Sequence, residues 1–204
     1  MFNIDGAVIT ANSTGIYAAG YAKWNIKDTT INGVDTAIEI RAGEMSIESG
    51  TFTASAVPTE VTPNGNGTTS SGSAMAVAQH TTKLPIAVSI SGGTFEGYSA
   101  FYESNPQNND EESIAKVNLE ITGGVFNAVN GGSVAVFNQD CKGFISGGVF
   151  QCSTGCLLLC RRIFRTVGIP LTCYLSEPSV LAALFLSENL RCMEFNRPQA
   201  SQPP

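Results

Sequence analysis

The hexapeptide Ile121-Thr122-Gly123-Gly124-Val125-Phe126 decides the fold of this chain, because variants of it recur through residues 1–150. The other copies begin at four further isoleucines, of which the first opens a degenerate copy: Ile26, Ile47, Ile90 and Ile145. Successive copies are 21, 43, 31 and 24 residues apart, so the unit is a little over twenty residues long and the longer intervals contain insertions. Repeats of this period indicate a solenoid, in which each unit buries its apolar face against its neighbours.

Apolar and polar residues alternate on both sides of the central glycines. The first position of each copy is Ile and the sixth is Ile or Phe, whereas the residue that follows each of these positions is polar. Alternation with period two predicts β-strands, and the glycines predict a tight corner between them. Further strands are predicted between the copies, at residues 15–18, 37–40, 75–77, 100–102 and 134–137.

We therefore predict an all-β fold for residues 1–150, a right-handed parallel β-helix (β-solenoid) of about six coils. Parallel stacking of the coils places equivalent residues in columns inside the solenoid. One column contains the five repeat isoleucines, and a second contains Phe52, Phe95, Phe126 and Phe150. We expect these phenylalanines to be core residues and not platforms for sugar rings.

Composition changes abruptly near residue 150, which predicts a domain boundary there. Residues 1–150 contain 19 of the 21 glycines and carry 14 acidic against 6 basic side chains, whereas residues 151–204 contain 9 of 11 leucines and 5 of 6 cysteines. We predict that residues 151–204 form a Cys-, Leu- and Arg-rich tail without repeats, irregular or partly helical. Three alternatives stay open for this tail: a helical cap that begins near Ser176-Glu177-Pro178, a disordered segment, or a frameshifted reading frame.

The repeated Ile-Ser-Gly-Gly-Thr/Val-Phe coils, the Ala-Ile-Glu-Ile strand at 37–40 and the Gly-Ile-Tyr-Ala-Ala-Gly segment at 15–20 resemble the β-helix repeats of large uncharacterised surface proteins of gut Firmicutes. The resemblance covers residues 4–150 and implies an extracellular or cell-surface protein that is part of a longer solenoid. It brings no catalytic residues with it. The pectate-lyase-like β-helix superfamily, often active on polysaccharides, is a more distant relative. In a shifted frame, codons after residue 150 can encode Tyr-Tyr-Cys-Ala-Glu-Gly-Tyr-Ser, which resembles the segment after the last Phe coil in the first family.

We expect a non-catalytic structural or display segment of a bacterial surface or secreted β-solenoid protein, with a glycan or the cell-wall surface as its partner. One alternative is a glycan-binding module that presents its acidic side around Glu39 and Glu48. The other is a polysaccharide lyase or hydrolase of the β-helix class, with candidate residues Asp28, Glu39, Arg41 and Glu48. A lyase needs a basic side chain beside carboxylates that bind Ca²⁺, and Arg41 is the only Arg before the tail. Surface acids on an acidic chain are also neighbours by chance, so we expect no turnover from these four residues.

Two insertions interrupt the coils. Residues 56–73 have the Pro, Gly, Asn and Ser composition of a flexible linker, and residues 104–113 form an acidic loop. We expect the first insertion to leave the solenoid after the strand that contains Phe52, and the second after the strand at 100–103. Loops at the corners of a solenoid can carry binding sites, but a solvated excursion without a partner is the simpler expectation for both.

Several other functions are not indicated by the sequence. A net charge of −6 with few Lys and Arg argues against nucleic-acid binding. The longest apolar run is shorter than the roughly 18 residues of a membrane-spanning helix, and residues 1–6 do not resemble a secretory signal peptide. We expect no cofactor and no metal, because His80 is the only histidine and Asp110-Glu111-Glu112 lacks the alternating oxygens of a Ca²⁺ loop. Zinc spacing is likewise missing from Cys152, Cys156 and Cys160.

Overall fold

The structure is a computed structural model that describes residues 1–58, 71–132, 134–137, 141, 143–152 and 172–175. These residues form β-strands and one short helix, α1 (Glu111–Ile114). The strands are β1 (Phe2–Asp5), β2 (Val8–Ala11), β3 (Thr14–Ala18), β4 (Lys23–Lys27), β5 (Thr29–Gly33), β6 (Thr36–Ile40), β7 (Gly43–Ile47), β8 (Gly50–Ala54), β9 (Ser73–Ala78), β10 (Ile86–Ile90), β11 (Thr94–Gly97), β12 (Ser99–Ser104), β13 (Val117–Ile121), β14 (Val125–Ala128), β15 (Val134–Phe137), β16 (Val149–Cys152) and β17 (Thr172–Leu175). Within the described ranges, no helix is long and apolar enough to cross a membrane.

The strands form three sheets, and each of the first five coils contributes one strand to every sheet. Sheet 1 has the order β1-β4-β7-β10-β13, sheet 2 the order β2-β5-β8-β11-β14-β16-β17, and sheet 3 the order β3-β6-β9-β12-β15. Neighbouring strands pair in parallel throughout. A parallel bridge from Ile121 to Ile145, followed by β16, begins a sixth coil. The described residues therefore form a parallel β-helix, as the repeat predicts, and the structure shows three strands per coil.

The inward columns confirm the predicted stacks. The repeat isoleucines are paired from coil to coil through sheet 1, and Ile4 of the first coil extends this column. The four phenylalanines are paired in the same way through sheet 2, and all four are fully buried. Their successive ring centroids are 4.7, 4.9 and 4.9 Å apart, which matches the spacing of strands in a sheet. Burial of each ring contributes about 1.5–3 kcal/mol to stability, so this column is a major part of the core.

The corner between sheet 1 and sheet 2 needs its two glycines for different reasons. A Cβ on Gly123 would clash with the backbone carbonyl oxygen of Ser91 in the preceding coil. Gly124 has a φ of 100°, a backbone conformation that residues with a side chain rarely adopt. Close stacking therefore requires the first glycine, and the sharp turn of the chain requires the second.

The two insertions leave the solenoid at different corners, as predicted. The first lies between β8 of sheet 2 and β9 of sheet 3, and the second lies between β12 of sheet 3 and β13 of sheet 1. The first insertion returns to the coil at Gly72, whose N–H donates to the carbonyl oxygen of Asp35 over 2.6 Å. Most of that insertion, residues 59–70, lies outside the described residues.

The first coil forms one end of the described stack. Its strands β1, β2 and β3 each have a neighbour on one side only among the described strands. The core-facing Ile4 and Ile9 are only partly buried, and Phe2 and Val8 are 52% and 76% exposed. Unpaired backbone groups and apolar side chains are thus both open at this end of the solenoid.

The tail begins as a continuation of the solenoid. Strand β16 runs to Cys152, and β17 pairs with it in parallel and adds a strand to sheet 2. This strand lies inside the segment for which the composition predicts irregular or helical structure. The remainder of that segment, residues 153–171 and 176–204, lies outside the described residues together with Cys156, Cys160 and the helix predicted from Ser176.

Candidate functional site

Two of the four candidate residues, Glu39 and Arg41, form a buried ion pair. Glu39 lies on β6, between the core residues Ile38 and Ile40, and Arg41 follows the strand directly. Residues two apart on a strand share a face, which brings the two charged side chains to the outer side of sheet 3. Arg41 Nη1 donates to Glu39 Oε1 over 2.8 Å, and both side chains are 0% exposed. The pair is therefore closed off from solvent.

The environment of Glu39 is unfavourable for its charge. Burial raises the pKa of the Glu39 carboxyl, because removal from water disfavours the ionised form, and the hydrogen bond and positive charge of Arg41 act in the opposite direction. The second carboxylate oxygen, Oε2, is buried and has no hydrogen-bond partner. A buried polar atom without a partner costs about 1–3 kcal/mol. The pair is thus a buried internal contact with one unsatisfied oxygen and not a surface acid and base.

Asp28 and Glu48 lie elsewhere, at the corner between sheet 1 and sheet 2. Asp28 stands two residues after its repeat Ile, where the next copy has Ser49 and the last three copies have Gly, and it has a φ of 48°. The Asp28 carboxylate accepts a hydrogen bond from Ser49 Oγ over 2.6 Å, and the Asp28 N–H donates to the same oxygen over 2.9 Å. Glu48 is exposed beside this corner. Asp28 therefore ties two successive coils together.

The structure does not assemble the four candidates into one surface site. Glycoside hydrolysis by an acid pair needs two accessible carboxylates about 5–9.5 Å apart. Glu39 has no solvent-accessible surface, and Asp28 and Glu48 belong to a different corner. The acidic face expected around Glu39 and Glu48 is likewise not formed, because only Glu48 reaches the surface. Alternation along a strand shows that Glu39 points away from the core, but it does not show that this face is covered.

The acidic loop after β12 is docked on the preceding coil instead of extending freely into solvent. The Asp110 carboxylate caps α1 by accepting from the N–H and Oγ of Ser113, over 2.9 and 2.8 Å. Lys83, in the turn before β10, donates to the same carboxylate. The hydrogen bonds from Lys83 and Ser113 hold the pKa of Asp110 well below its usual range.

Buried amides join this loop to the turn of the coil before it. Gln79 is 1% exposed, and its Nε2 donates to the carbonyl oxygens of Leu84 and Ser113 over 3.1 and 2.9 Å. Asn109 Nδ2 donates to Gln79 Oε1 and to the His80 carbonyl oxygen. Asn105 and Asn109 exchange two further hydrogen bonds that close the loop on itself. These contacts assign a structural role to the loop.

The remaining chemistry-bearing residues do not form a metal site within the part of the chain that the structure describes. No group of three or more His, Cys, Asp or Glu is arranged there to hold an ion. His80 Nδ1 lies 3.1 Å from Thr81 Oγ1 and 3.4 Å from the Thr82 N–H nitrogen, in its own turn. Cys141 is partly buried, and its backbone N–H donates to the buried Glu103 carboxylate.

A shallow groove of about 390 Å³ crosses the outer face of sheet 1. It runs across β4, β7, β10 and β13, parallel to the axis of the solenoid and between two columns of outward side chains. One wall consists of Lys23, Glu44, Ala87 and Asn118, and the other contains Ser46, Ser89 and Glu120. Between the walls lie residues whose side chains belong to the inward column: Trp24, Met45, Val88 and Leu119.

The side chains of the groove differ along its length. At one end, Lys23 Nζ lies 3.1 Å from Glu44 Oε2, and both side chains are about half exposed. In the middle, β10 contributes only the small side chains of Ala87 and Ser89, which makes room between the two ends. At the other end, Glu120 is exposed and makes no ion pair among the described residues. The groove therefore combines polar walls with apolar surface in its floor, and it has one neutralised charge pair and one carboxylate that makes no ion pair with a described residue.

This groove was not predicted from the sequence, although the repeat contains a signal for it. The two walls are the positions three before and one before each repeat Ile, so the alignment of the copies already shows both columns. Ala87 is the only small side chain among the four residues of its wall. Small residues at both outward positions of one copy, Ala87 and Ser89, indicate a depression on this face.

Comparison of the chain with protein-family models, with curated proteins and with solved structures gives no match.

Proposed function

We propose that this chain is a non-catalytic structural segment of a bacterial surface or secreted β-solenoid protein, and that it holds its outer faces in a fixed geometry for display. The observation that carries the proposal is the continuity of the core. The Ile and Phe columns pass through the coils without interruption, even where insertions separate coils in sequence. A stack of this kind, in which each coil packs on its neighbours, holds each outward column in a fixed position relative to the core.

The position of the candidate catalytic residues supports a non-catalytic role. Glu39 and Arg41, the best acid and base in the sequence, neutralise each other in a place that solvent does not reach. Asp28 is engaged by Ser49 in a coil corner. Glu39 and Arg41 therefore cannot contact a polymer at the surface, and the exposed Asp28 lies at a different corner from them.

The open first coil supports membership in a longer solenoid. The partly exposed Phe2, Ile4 and Ile9 continue columns that the following coils bury more completely. A further coil of the same repeat would cover these side chains and pair the free edges of β1, β2 and β3, which otherwise favour aggregation. The resemblance to Firmicutes surface proteins supports a location at the cell surface or outside the cell, with the cell wall or its glycans as the neighbour.

Two measurements test the proposal. The purified chain is incubated with pectin-like and host polysaccharides, and reducing ends and unsaturated products are measured against a heat-denatured control. We expect no turnover; turnover that is lost in Asp28→Asn or Arg41→Met, in variants that remain folded, would contradict the non-catalytic role.

In the second measurement, antibodies against the chain are applied to intact and to lysed cells of the source organism. We expect labelling of intact cells or recovery from the medium, whereas labelling only after lysis contradicts surface display.

A further inference from the structure

The groove on sheet 1 has the dimensions of a binding site for a short linear ligand. It spans four coils, so the first and the last strand are roughly 14 Å apart at the strand spacing of a sheet. Its volume of about 390 Å³ lies in the lower part of the range of small-molecule sites. Because it runs along the solenoid axis, a ligand in it crosses from one coil to the next and meets equivalent strand positions with different side chains at each coil.

The polar groups of the groove suit a ligand with many hydroxyl groups. Ser46 and Ser89 on one wall offer hydroxyls, and Asn118 on the other wall offers an amide, so donors and acceptors face the same space. The small side chains of Ala87 and Ser89 leave room for a ring at the centre. No wall residue is a large apolar side chain, whereas the floor contributes apolar surface from Trp24, Met45, Val88 and Leu119.

The charges of the groove select among hydroxyl-rich ligands. Lys23 is already paired with Glu44, so none of the described residues that line the groove offers an unpaired cation to an acidic sugar. Glu120 is an exposed carboxylate without an ion pair among the described residues. A ligand with a primary amine near Glu120 gains an ion pair, whereas a uronic acid at the same place is repelled by Glu120.

We propose that this groove binds a short amino-sugar oligosaccharide along the solenoid axis, with an amine of the ligand at Glu120 and its hydroxyls at Ser46, Ser89 and Asn118. This site is independent of the structural role, because a rigid solenoid can display its surface whether or not the groove is occupied. It is also separate from the four residues that the sequence singled out for catalysis, none of which lines the groove.

The test is calorimetric titration of the full chain with β-1,4-linked trimers of glucosamine and N-acetylglucosamine and with an α-1,4-linked trimer of galacturonic acid. We expect the glucosamine trimer to bind best, the N-acetylglucosamine trimer to bind more weakly and the galacturonic acid trimer not to bind. Glu120→Gln is expected to weaken binding of the glucosamine trimer by about two- to fivefold, the range of an exposed ion pair. The matched control Glu48→Gln removes the same charge from an exposed position outside the groove and leaves the affinity unchanged.

A second pair of variants tests the place of binding. Ala87→Tyr fills the centre of the groove and is expected to abolish binding, whereas Thr10→Tyr adds the same ring at an exposed position on β2 and is expected to have no effect. Circular dichroism verifies that both variants are folded. Absence of binding to any trimer overturns the proposal, as does binding that survives in folded Ala87→Tyr. Equal affinity for the glucosamine and N-acetylglucosamine trimers overturns the role of Glu120. The structural role is tested by turnover, cell labelling and urea unfolding, and none of these measurements depends on whether the groove binds a ligand.

Discussion

Single residues at the coil corners determine how closely the coils can stack. Gly123→Ala should destabilise the fold by about 1–3 kcal/mol, because the added Cβ meets the backbone carbonyl of Ser91, which cannot move without its coil. Gly131 has a φ of 78° and open space around it, so Gly131→Ala tests backbone strain alone, at about 1–2 kcal/mol. Gly20→Ala has neither constraint and should be neutral or slightly stabilising. Urea unfolding measures all three, and a Gly123→Ala variant as stable as Gly20→Ala would contradict the close stacking.

The buried ion pair is a second feature that single residues test. Arg41→Met should cost about 3–5 kcal/mol, because it leaves Glu39 buried without its cation. The double variant Glu39→Leu with Arg41→Met removes both charges and should recover most of that loss. Chemical denaturation of the two single variants and the double variant gives the coupling between the residues. Additive losses would show that the two side chains do not act as a pair.

At the scale of elements, the loop with α1 makes stability depend on pH. Because the pKa of Asp110 is lowered in the folded chain, its contribution is complete above the ordinary Asp value of 3.8 and is lost as the pH falls below that value. We expect the acid-induced loss of stability to be smaller in Asp110→Asn and in Lys83→Met. Unfolding midpoints in urea between pH 2 and pH 6, at about half-unit steps, provide the measurement. The neighbouring exposed Glu111→Gln is the control, and an equal change in that variant would contradict the assignment.

The two insertions should differ in what they contribute. Replacement of residues 59–70 by a short linker is expected to change stability by less than about 1 kcal/mol, because the length of a loop has a small effect on closure entropy. Removal of residues 105–112 takes away Asn109 and Asp110 and leaves the Oε1 atom of the buried Gln79 amide without its Asn109 partner, which should cost more, about 1–3 kcal/mol. Thermal unfolding compares the two deletions. Loss of a cooperative transition in the first deletion would show that the segment belongs to the coil stack.

At the scale of the whole molecule, the inward half of the structure was predicted well from the sequence. Ile47 and Ile90 are 43 residues apart, yet their shared repeat position was enough to place them side by side. Alternation with period two reports which side chains face the core, and stacking then fixes the columns. The same reasoning placed Phe52, Phe95 and Phe126 in one stack.

The outward half was predicted less well, for a physical reason. Alternation shows that Glu39 points outward, but it contains no information on what lies over that face. The contact of Gln79 with Asn109 joins turns of two different coils and depends on loop conformations that no repeat encodes. The groove lay within reach of the sequence, since Ala87 and Ser89 are small at aligned outward positions, but only if those columns are compared for size.

The solenoid is expected to behave as one mechanical unit, in which the Phe column transmits the loss of one ring to distant coils. Phe126 lies on β14 of the fifth coil, and Trp24, the only tryptophan of the chain, lies on β4 of the second. Trp24 and Phe126 lie in coils that are not neighbours. Fluorescence of Trp24 therefore reports on a part of the solenoid distant from Phe126.

The most direct test is the urea unfolding of Phe126→Ala, followed by both Trp24 fluorescence and far-ultraviolet circular dichroism. Removal of a fully buried ring should cost about 3–5 kcal/mol. We predict that the two signals shift together to the same lower midpoint, because the coils unfold as one cooperative stack. An unchanged Trp24 midpoint beside a lowered dichroism midpoint would show that the coils unfold independently, and would contradict the proposed rigid structural segment.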